Sequence, residues 1–470
     1  MTSPLPQIKF GTDGWRAIIA REFTFANVER VAQAYAEFLK SQPSEQKRSV
    51  VIGYDRRFLS ERFAERAAEI MIGNGFGVAM FKEAQPTPLI SWSVKDLSAT
   101  GGIVITASHN PATFNGFKIK APWGGSATPE TTALVEQLVD RTRPVRGEML
   151  EDGHELLEPS IARYRQQIAS CVDLEKIRAT SGAVIVDPMH GSAGTWVESF
   201  LNGGALQIQT IRAFRDPLFG GVNPEPIRQN LEALTRRVVE TGAIAGVATD
   251  GDADRIGAVD ELGKTMTMHD VVPLLLLHLS RRRKMAGAVV VTVSQSVLSK
   301  RIAAAEGLKI YETPIGFKHV AELMLKEDIL LGAEESGGIG VKGHIPERDG
   351  VLNSLLFLEA LVASGKRPSE IIREIHREFG EFYFGRRDVH MAVTRGQELV
   401  DELKETPPAK FAGQDIRDMQ ILDGVKFVFA DDSWVLLRQS GTEAMLRVYA
   451  EAISIPAMNL LLDAGQELTR

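Results

Sequence analysis

Short apolar runs alternate with stretches of helical period along most of the chain. Val50-Val51-Ile52-Gly53-Tyr54 has no polar alternation, as expected of a strand buried on both faces. Residues 60–74 follow it with apolar side chains at Phe63, Ala67, Ile70 and Met71, a helical spacing, and Gly73 and Gly75 close that helix. Residues 77–81 predict a second strand, 88–97 a short helix and 102–106 a third strand. Strand, helix, strand, helix, strand implies a mostly parallel sheet with helical crossovers. The pattern then returns twice. Residues 183–186 open a second unit that ends with the apolar run 243–249, and residues 288–293 belong to a third that ends with Ile329-Leu330-Leu331. The tail, VKFVFADDSWVLLRQSGTEAMLRVYAEA, alternates apolar and polar residues around turns, which predicts a more antiparallel sheet and a final helix.

A chain of 470 residues is too long for one core. The expected class is α/β, with three similar mixed-sheet α/β domains and a distinct C-terminal α+β domain. Boundaries are expected in the charged, proline-containing stretch 141–158, just after Arg255, and near residues 365–368. They divide the chain into residues 1–150, 151–255, 256–368 and 369–470.

Composition narrows the function. The formal charge is −7, and no basic block or basic-aromatic stripe occurs, so a duplex nucleic acid partner is not expected. Cys171 is the only cysteine, which excludes an internal disulfide and a cysteine metal knuckle and suits a reducing cytoplasm. The start, MTSPLPQIKF, has no basic segment followed by an apolar one, so no secretory signal is expected. The longest apolar stretch, 271–277, is about a third of a membrane span. It reads as a core helix with a basic cap, and no membrane partner is expected.

In parallel α/β sheets, ligands bind beyond the carboxyl ends of the strands. Three polar loops stand at such ends. TASHNP places Ser108 beside His109 directly after an apolar run, yet no Gly-x-Ser-x-Gly elbow exists, because Thr106 stands where its first glycine belongs. ATDGDADR carries Asp250, Asp252 and Asp254 at alternate positions, a spacing that can aim three carboxylates at one hard cation such as magnesium. A calcium loop is the competing reading, since Glu261 is twelfth from Asp250. Arg255 at the sixth position, where glycine is needed, argues against it. Gly263-Lys264-Thr265 is not a phosphate loop either, because Ala258 occupies the leading glycine position; residues 259–266 read as a hairpin. The third loop, 333–338, offers Glu334, Glu335 and Ser336, groups able to accept from and donate to sugar hydroxyls. A fourth loop lies in the tail after the strand 434–437. Arg438, Ser440, Gly441 and Thr442, with Arg447 nearby, can form a cradle for an oxyanion.

TASHNP, DGDADR, the Glu-Glu-Ser-Gly loop and RQSGTE occur in the order and at the approximate spacing of the α-D-phosphohexomutases, which include phosphoglucomutases and phosphomannomutases. The resemblance runs from FGTDGWR to LRVYAE, nearly the whole chain. It implies four domains around a central active-site cleft. It also implies that Ser108 carries the transferable phosphoryl group and shares a Mg2+ ion with Asp250, Asp252 and Asp254. The reaction implied interconverts glucose 1-phosphate and glucose 6-phosphate, with mannose phosphates as further substrates. It passes through a phosphoserine enzyme and a hexose 1,6-bisphosphate, which also serves as activator. Lys118, in NGFKIK, matches the family's acid–base lysine, with His109 second. Arg16 matches an active-site arginine, and Arg255 the arginine after the metal loop. Lys318 and His319 match a substrate loop, Glu334 and Ser336 the sugar-gripping residues, and Arg438, Ser440, Gly441, Thr442 and Arg447 the phosphate site. Ala333, Gln439 and Ala444 depart from common family residues in ways that touch loop stiffness. The Glu-Glu-Ser loop resembles the glucose and mannose enzymes more than the glucosamine-phosphate mutases, which usually carry glutamine there. The alternatives are a glucosamine-phosphate mutase, a metal-dependent sugar phosphatase and a catalytically silent phosphosugar binder. Nothing in the pattern specifies an oligomeric state.

Overall fold

The computed structural model describes residues 7–11, 13–43, 48–148, 155–441 and 444–469. They form two compact units, Met1–Thr265 with Gly337–Arg367, and Met266–Ser336 with Pro368–Arg470. Strands are numbered in chain order.

In the first unit, β1 (Trp15–Ile18), β2 (Ser49–Tyr54), β3 (Gly77–Met80), β4 (Gly101–Ile105) and β5 (Phe114–Lys120) form a mixed sheet of order β1-β5-β4-β2-β3. β2 runs parallel to both β3 and β4, while β5 is antiparallel to β4 and β1. The parallel strands β2 and β4 are almost wholly apolar, as expected of strands covered on both faces, whereas β5 carries Asn115, Lys118 and Lys120. The helix Phe25–Ser41 begins at Thr24, whose side chain accepts from the Asn27 N–H, and buries Val28, Val31, Tyr35 and Leu39 along one stripe. The second sheet comprises β6 (Gly182–Asp187), β7 (Leu206–Thr210), β8 (Ala245–Thr249) and β9 (Ile256–Val259), with parallel β6, β7 and β8 and antiparallel β9. The chain turns back where the Asp260 N–H meets the Lys264 carbonyl at 2.9 Å, leading to β10 (Thr265–Met266). The second sheet therefore runs on past Arg255, because β9 pairs along β8 and β10 adds to β9, in the order β10-β9-β8-β6-β7.

The next strands belong to the second unit. β11 (Ala288–Thr292), β12 (Ile310–Thr313) and β13 (Ile329–Ala333) are parallel, with β11 central. The chain then rejoins the first unit with β14 (Ile339–Val341) and the helix Gly350–Ser364. There the Ile256 N–H donates to the Gly337 carbonyl (3.0 Å) and the Gly350 N–H to the Ala253 carbonyl (2.9 Å). Asp349 caps the helix through the Leu352 N–H at 2.9 Å.

The C-terminal strands differ, as their alternation predicts. β15 (Tyr383–His390) precedes a two-residue ladder, β16 (Lys410–Phe411) with β17 (Gln414–Asp415). β18 (Asp418–Gln420), β19 (Val425–Val428), β20 (Trp434–Gln439) and β21 (Met445–Ala452) complete an antiparallel sheet of order β15-β21-β20-β19-β18. The helix Ile455–Glu467 covers it through Met458, Leu461 and Leu462. No helix among the described residues is long and apolar enough to cross a membrane.

Candidate active site

Ser108 lies three residues beyond β4 and is buried, at 1% exposure. Its φ is +52°, in the left-handed region that serine seldom occupies. The surroundings hold it there. Its N–H donates to Thr106 Oγ1 at 2.9 Å. Its carbonyl accepts from Arg57 Nη2 at 2.6 Å. Its Oγ donates to Asp250 Oδ2 at 2.9 Å and lies 3.3 Å from His109 Nδ1.

Arg57 is the scaffold of this loop. It is fully buried, and all five of its N–H donors are used. Nε meets Asp55 Oδ2 (3.1 Å), Nη1 the carbonyls of Pro111 (2.9 Å) and Phe114 (3.0 Å), and Nη2 those of Ser108 and Asn110 (2.7 Å). Asp55 in turn accepts from Thr106 Oγ1 (2.6 Å), Ser60 Oγ (2.8 Å) and the Arg57 N–H (3.0 Å). These contacts join the end of β2 to the loop after β4, its parallel neighbour.

The loop after β8 supplies the three aspartates, all fully buried, with one carboxylate oxygen of each lying within 4.8 Å of the others. It presses against the serine loop without side chains intervening. A Cβ at Gly251 would stand 2.5 Å from the Ser108 carbonyl oxygen, and one at Gly191 2.8 Å from the carbonyls of Asp250 and Gly251. Three carboxylates this close cannot all ionise cheaply. Burial and then the charges of Asp252 and Asp254 push Asp250 well above the ordinary carboxylate range. Burial opposes ionisation of Asp252 too, but Lys118 outweighs it and holds that carboxyl low.

Lys118, on β5, is 1% exposed, with Nζ 2.8 Å from Asp13 Oδ2, 2.8 Å from Asp252 Oδ2 and 3.3 Å from Asp254 Oδ2. Burial works against its charge, but Asp13, Asp252 and Asp254 prevail and raise its pKa above the ordinary lysine value. His109 is shifted the other way. Burial, then Arg255 and Arg16, lower it well below the ordinary histidine value, so at neutral pH it is the uncharged imidazole. Arg16 Nη1 donates to Asn110 Oδ1 at 2.6 Å. Arg255 Nε lies 3.9 Å from Asp254 Oδ1 and its Nη1 4.0 Å from Glu225.

The triad suits a hard divalent cation. Asp252 Oδ1 and Asp254 Oδ1 are buried and have no hydrogen-bond donor among the described residues. An oxygen-only donor set with two such atoms fits Mg2+ better than a softer metal.

The remaining expected residues lie in the second unit. Glu334 is buried just past β13, and Ser336 stands two residues on. Beside them, Glu335 accepts from Ser294 Oγ at 2.6 Å. Lys318 and His319 form the first turn of the helix Phe317–Lys326. Burial and then Lys318 lower the pKa of His319. Asp423 ties that loop to the fourth sheet, accepting from the Ile315 N–H (2.9 Å) and Arg438 Nε (2.7 Å). β20 extends two residues beyond the expected 434–437, because Arg438 pairs with Arg447 and Gln439 with Leu446 across the β20–β21 ladder. Arg447 Nε lies 4.0 Å from Asp388 Oδ1. The loop after β20 is closed by the Ser440 N–H donating to the Met445 carbonyl at 2.9 Å, with Ser440 buried and Gly441 exposed. Thr442 lies outside the described residues.

Asp13, Asp55, Arg57 and Arg348 were not expected from sequence. Asp55 and Arg57 follow β2 directly, so the strand-end rule that singled out the other loops also reaches them.

Models of the phosphoglucomutase/phosphomannomutase α/β/α domains I, II and III match residues 7–146, 162–263 and 269–379, and that of the C-terminal domain matches 391–464. A phosphoglucomutase/phosphomannomutase of Thermococcus kodakarensis is 32% identical over 459 residues, 98% of each chain. A phosphoglucosamine mutase of Carboxydothermus hydrogenoformans is 30% identical over 447 residues, 94% of each chain. The crystal structure of a Thermus thermophilus protein, provisionally described as a phosphomannomutase, superposes with a TM-score of 0.87 at 34% identity, covering 99% of each chain.

Proposed function

Because this chain belongs to the phosphoglucomutase/phosphomannomutase family, whose members are enzymes that transfer phosphate within a sugar, we propose that it interconverts glucose 1-phosphate and glucose 6-phosphate and also accepts mannose phosphates. The observation that carries the reading is Ser108, held in a left-handed conformation with Oγ 2.9 Å from an aspartate of the buried triad. Strain of this kind persists only where the surroundings over-determine it, and it concentrates at reacting groups.

In the proposed reaction Ser108 is phosphorylated in the resting enzyme. The bond from Ser108 Oγ to phosphorus breaks as one forms to the free hydroxyl of the hexose phosphate, giving a hexose 1,6-bisphosphate. The other phosphate then returns to Ser108. Mg2+ held by Asp250, Asp252, Asp254 and Ser108 would supply neutralisation of the negative charge on the transferring group. The protein's own task is positioning and proton movement. Lys118 is held as an ammonium by its carboxylate neighbours, so it enters as the acid toward the departing serine oxygen. His109, neutral beside Ser108 Oγ, is able to accept a proton. Arg16 braces the serine loop through Asn110. Lys318, His319, Glu334 and Ser336 are proposed to grip the sugar, and Arg438, Ser440, Gly441, Thr442 and Arg447 its non-reacting phosphate. A hexose 1,6-bisphosphate is the proposed activator, because it can rephosphorylate Ser108. A cytoplasmic setting fits a chain with one cysteine.

Glucosamine phosphate is a second reading, favoured by the similarity to the Carboxydothermus enzyme. Glu335, where those enzymes usually carry glutamine, favours glucose. The test is incubation with Mg2+, glucose 1-phosphate and a trace of glucose 1,6-bisphosphate, following both sugar phosphate and free phosphate. Glucose 6-phosphate without phosphate release is expected. Free phosphate identifies a phosphatase, and conversion of glucosamine 6-phosphate alone moves the substrate to the amino sugar.

A further inference from the structure

Among the described residues, the hydrogen-bonding and close ion-pair partners of two triad carboxylates, Asp252 and Asp254, fall on Oδ2, while Arg255 Nε approaches Asp254 Oδ1 only to 3.9 Å. Asp252 Oδ2 accepts from Lys118 Nζ and from Thr87 Oγ1, both at 2.8 Å. Asp254 Oδ2 lies 3.3 Å from Lys118 Nζ and 3.0 Å from Arg348 Nη2. The Oδ1 atoms of the same two residues are the buried oxygens without a donor. Oδ2 is thus engaged by Lys118 and Thr87 on Asp252 and by Lys118 and Arg348 on Asp254, and Arg348 arrives from the chain segment just before the helix Gly350–Ser364.

Arg348 is itself fixed. Nη2 also meets Asp13 Oδ2 at 2.9 Å, the same oxygen that Lys118 Nζ approaches at 2.8 Å. Its Nε donates to Glu347 Oε1 at 3.2 Å, and Glu347 Oε2 is held by Lys120 Nζ at 2.7 Å. Ser126 Oγ donates to Asp13 Oδ1 at 2.8 Å. Arg348 and Lys118 share Asp13 as a common anchor and Asp254 as a common load, at 6% and 1% exposure.

We propose that Arg348 is a positioning residue of the metal centre: with Asp13 it holds Asp254 so that Oδ1 is the oxygen offered to the cation. The inference rests on the metal reading above. It makes a prediction of definite sign, because two roles for Arg348 pull in opposite directions. As a mere countercharge, its removal would leave the triad more negative and tighten cation binding. As a positioning group, its removal frees the Asp254 carboxylate to rotate and loosens binding.

The experiment is Mn2+ titration of the full chain followed by the electron paramagnetic resonance of free Mn2+, comparing wild type, Asp252→Asn, Arg348→Met and Arg348→Lys. Wild type binds one Mn2+, and Asp252→Asn loses it. Arg348→Met weakens binding about 10–100-fold, the usual effect of removing a group that orients a metal ligand. Arg348→Lys, which keeps the charge without the planar fork, recovers part of the loss. A folded Arg348→Met protein that binds Mn2+ as tightly as wild type, or more tightly, overturns the inference and leaves the metal reading standing. Mn2+ binding absent in wild type, or unaffected by Asp252→Asn, overturns the metal reading and the inference with it. Should Arg348→Met fail to fold, Asp13→Asn removes the anchor instead and must also weaken binding; unchanged affinity there is equally fatal.

Discussion

Replacing Arg57 with lysine tests whether the serine loop is held by directed hydrogen bonds or only by charge. Arginine places five donors on five acceptors, four of them backbone carbonyls between Ser108 and Phe114. Lysine has three donors, so two acceptors lose their partner beside a side chain at 0% exposure; the contacts to Asp55 and Ser108 are buried, those to Asn110, Pro111 and Phe114 part-buried. An unsatisfied buried group costs about 1–3 kcal/mol, which sets the expected loss at about 1–3 kcal/mol for each buried acceptor left unpaired. The left-handed Ser108 conformation stores about 1–3 kcal/mol. The loop therefore has reason to relax once its carbonyl contacts weaken. Arg57→Met goes further, because it leaves the buried Asp55 carboxylate without a countercharge, a change of about 3–5 kcal/mol by itself. Urea unfolding of Arg57→Lys should show a lower midpoint at unchanged slope, and amide exchange should accelerate most in peptides spanning residues 106–115. An unfolding free energy within about 0.5 kcal/mol of wild type, with that segment still protected, would refute the argument.

Three further outcomes are expected. Ser108→Ala abolishes mutase turnover while lowering unfolding free energy by no more than about 1.5–3 kcal/mol, the worth of one hydrogen bond to a charged group; near-normal turnover would exclude a phosphoserine mechanism. Gly251→Ala drives a Cβ to 2.5 Å from the Ser108 carbonyl oxygen, which belongs to the backbone and has little room to yield. Stability should fall by about 1–3 kcal/mol and turnover by about 100-fold, although no reacting side chain is altered. Lys426, buried in the second unit with Nζ 2.7 Å from the Val293 carbonyl, is pushed down to about 8 from 10.5 by burial and by Lys300. The unfolded chain then binds more protons between those values, so stability rises with pH across that window by roughly 3 kcal/mol relative to Lys426→Met. Parallel stability–pH curves for the two proteins would contradict it.

What could be read from sequence was whatever a local pattern carries. A buried strand declares itself by an unbroken apolar run, and the loop after it declares chemistry when small and acidic residues replace that run. Ser108 after β4 and the aspartates after β8 were legible for that reason. Asp55-Arg56-Arg57 follows β2 in the same way, but two arginines and an aspartate also spell an ordinary solvated turn. Only carbonyls contributed by residues 108–114 make Arg57 a core residue. The chain after Arg255 shows the same limit: nothing local there announces that β9 will pair along β8 or that Gly337 returns from far along the chain to pair with Ile256. Long-range partners decide both cases, and no periodicity records them.

The polar interior of the first unit follows a physical rule that this distribution makes plain. A loop without regular structure has few hydrogen bonds of its own, so its carbonyls must be satisfied from elsewhere. Arg57 does this for the serine loop with a side chain from a neighbouring strand end. Lys118 and Arg348 do the corresponding work for the aspartates from β5 and from the segment before a later helix. Each device places a permanent cation behind an anionic or oxygen-rich loop, leaving the remaining acceptors facing one way. Packing alone would not achieve this, because a carboxylate in an apolar pocket has no preferred oxygen. The arrangement also explains why buried charge is tolerated here at all: each cation has two or more acceptors, and on Asp252 and Asp254 the oxygens without a hydrogen-bond donor among the described residues are the Oδ1 atoms, where a divalent ion can complete the balance.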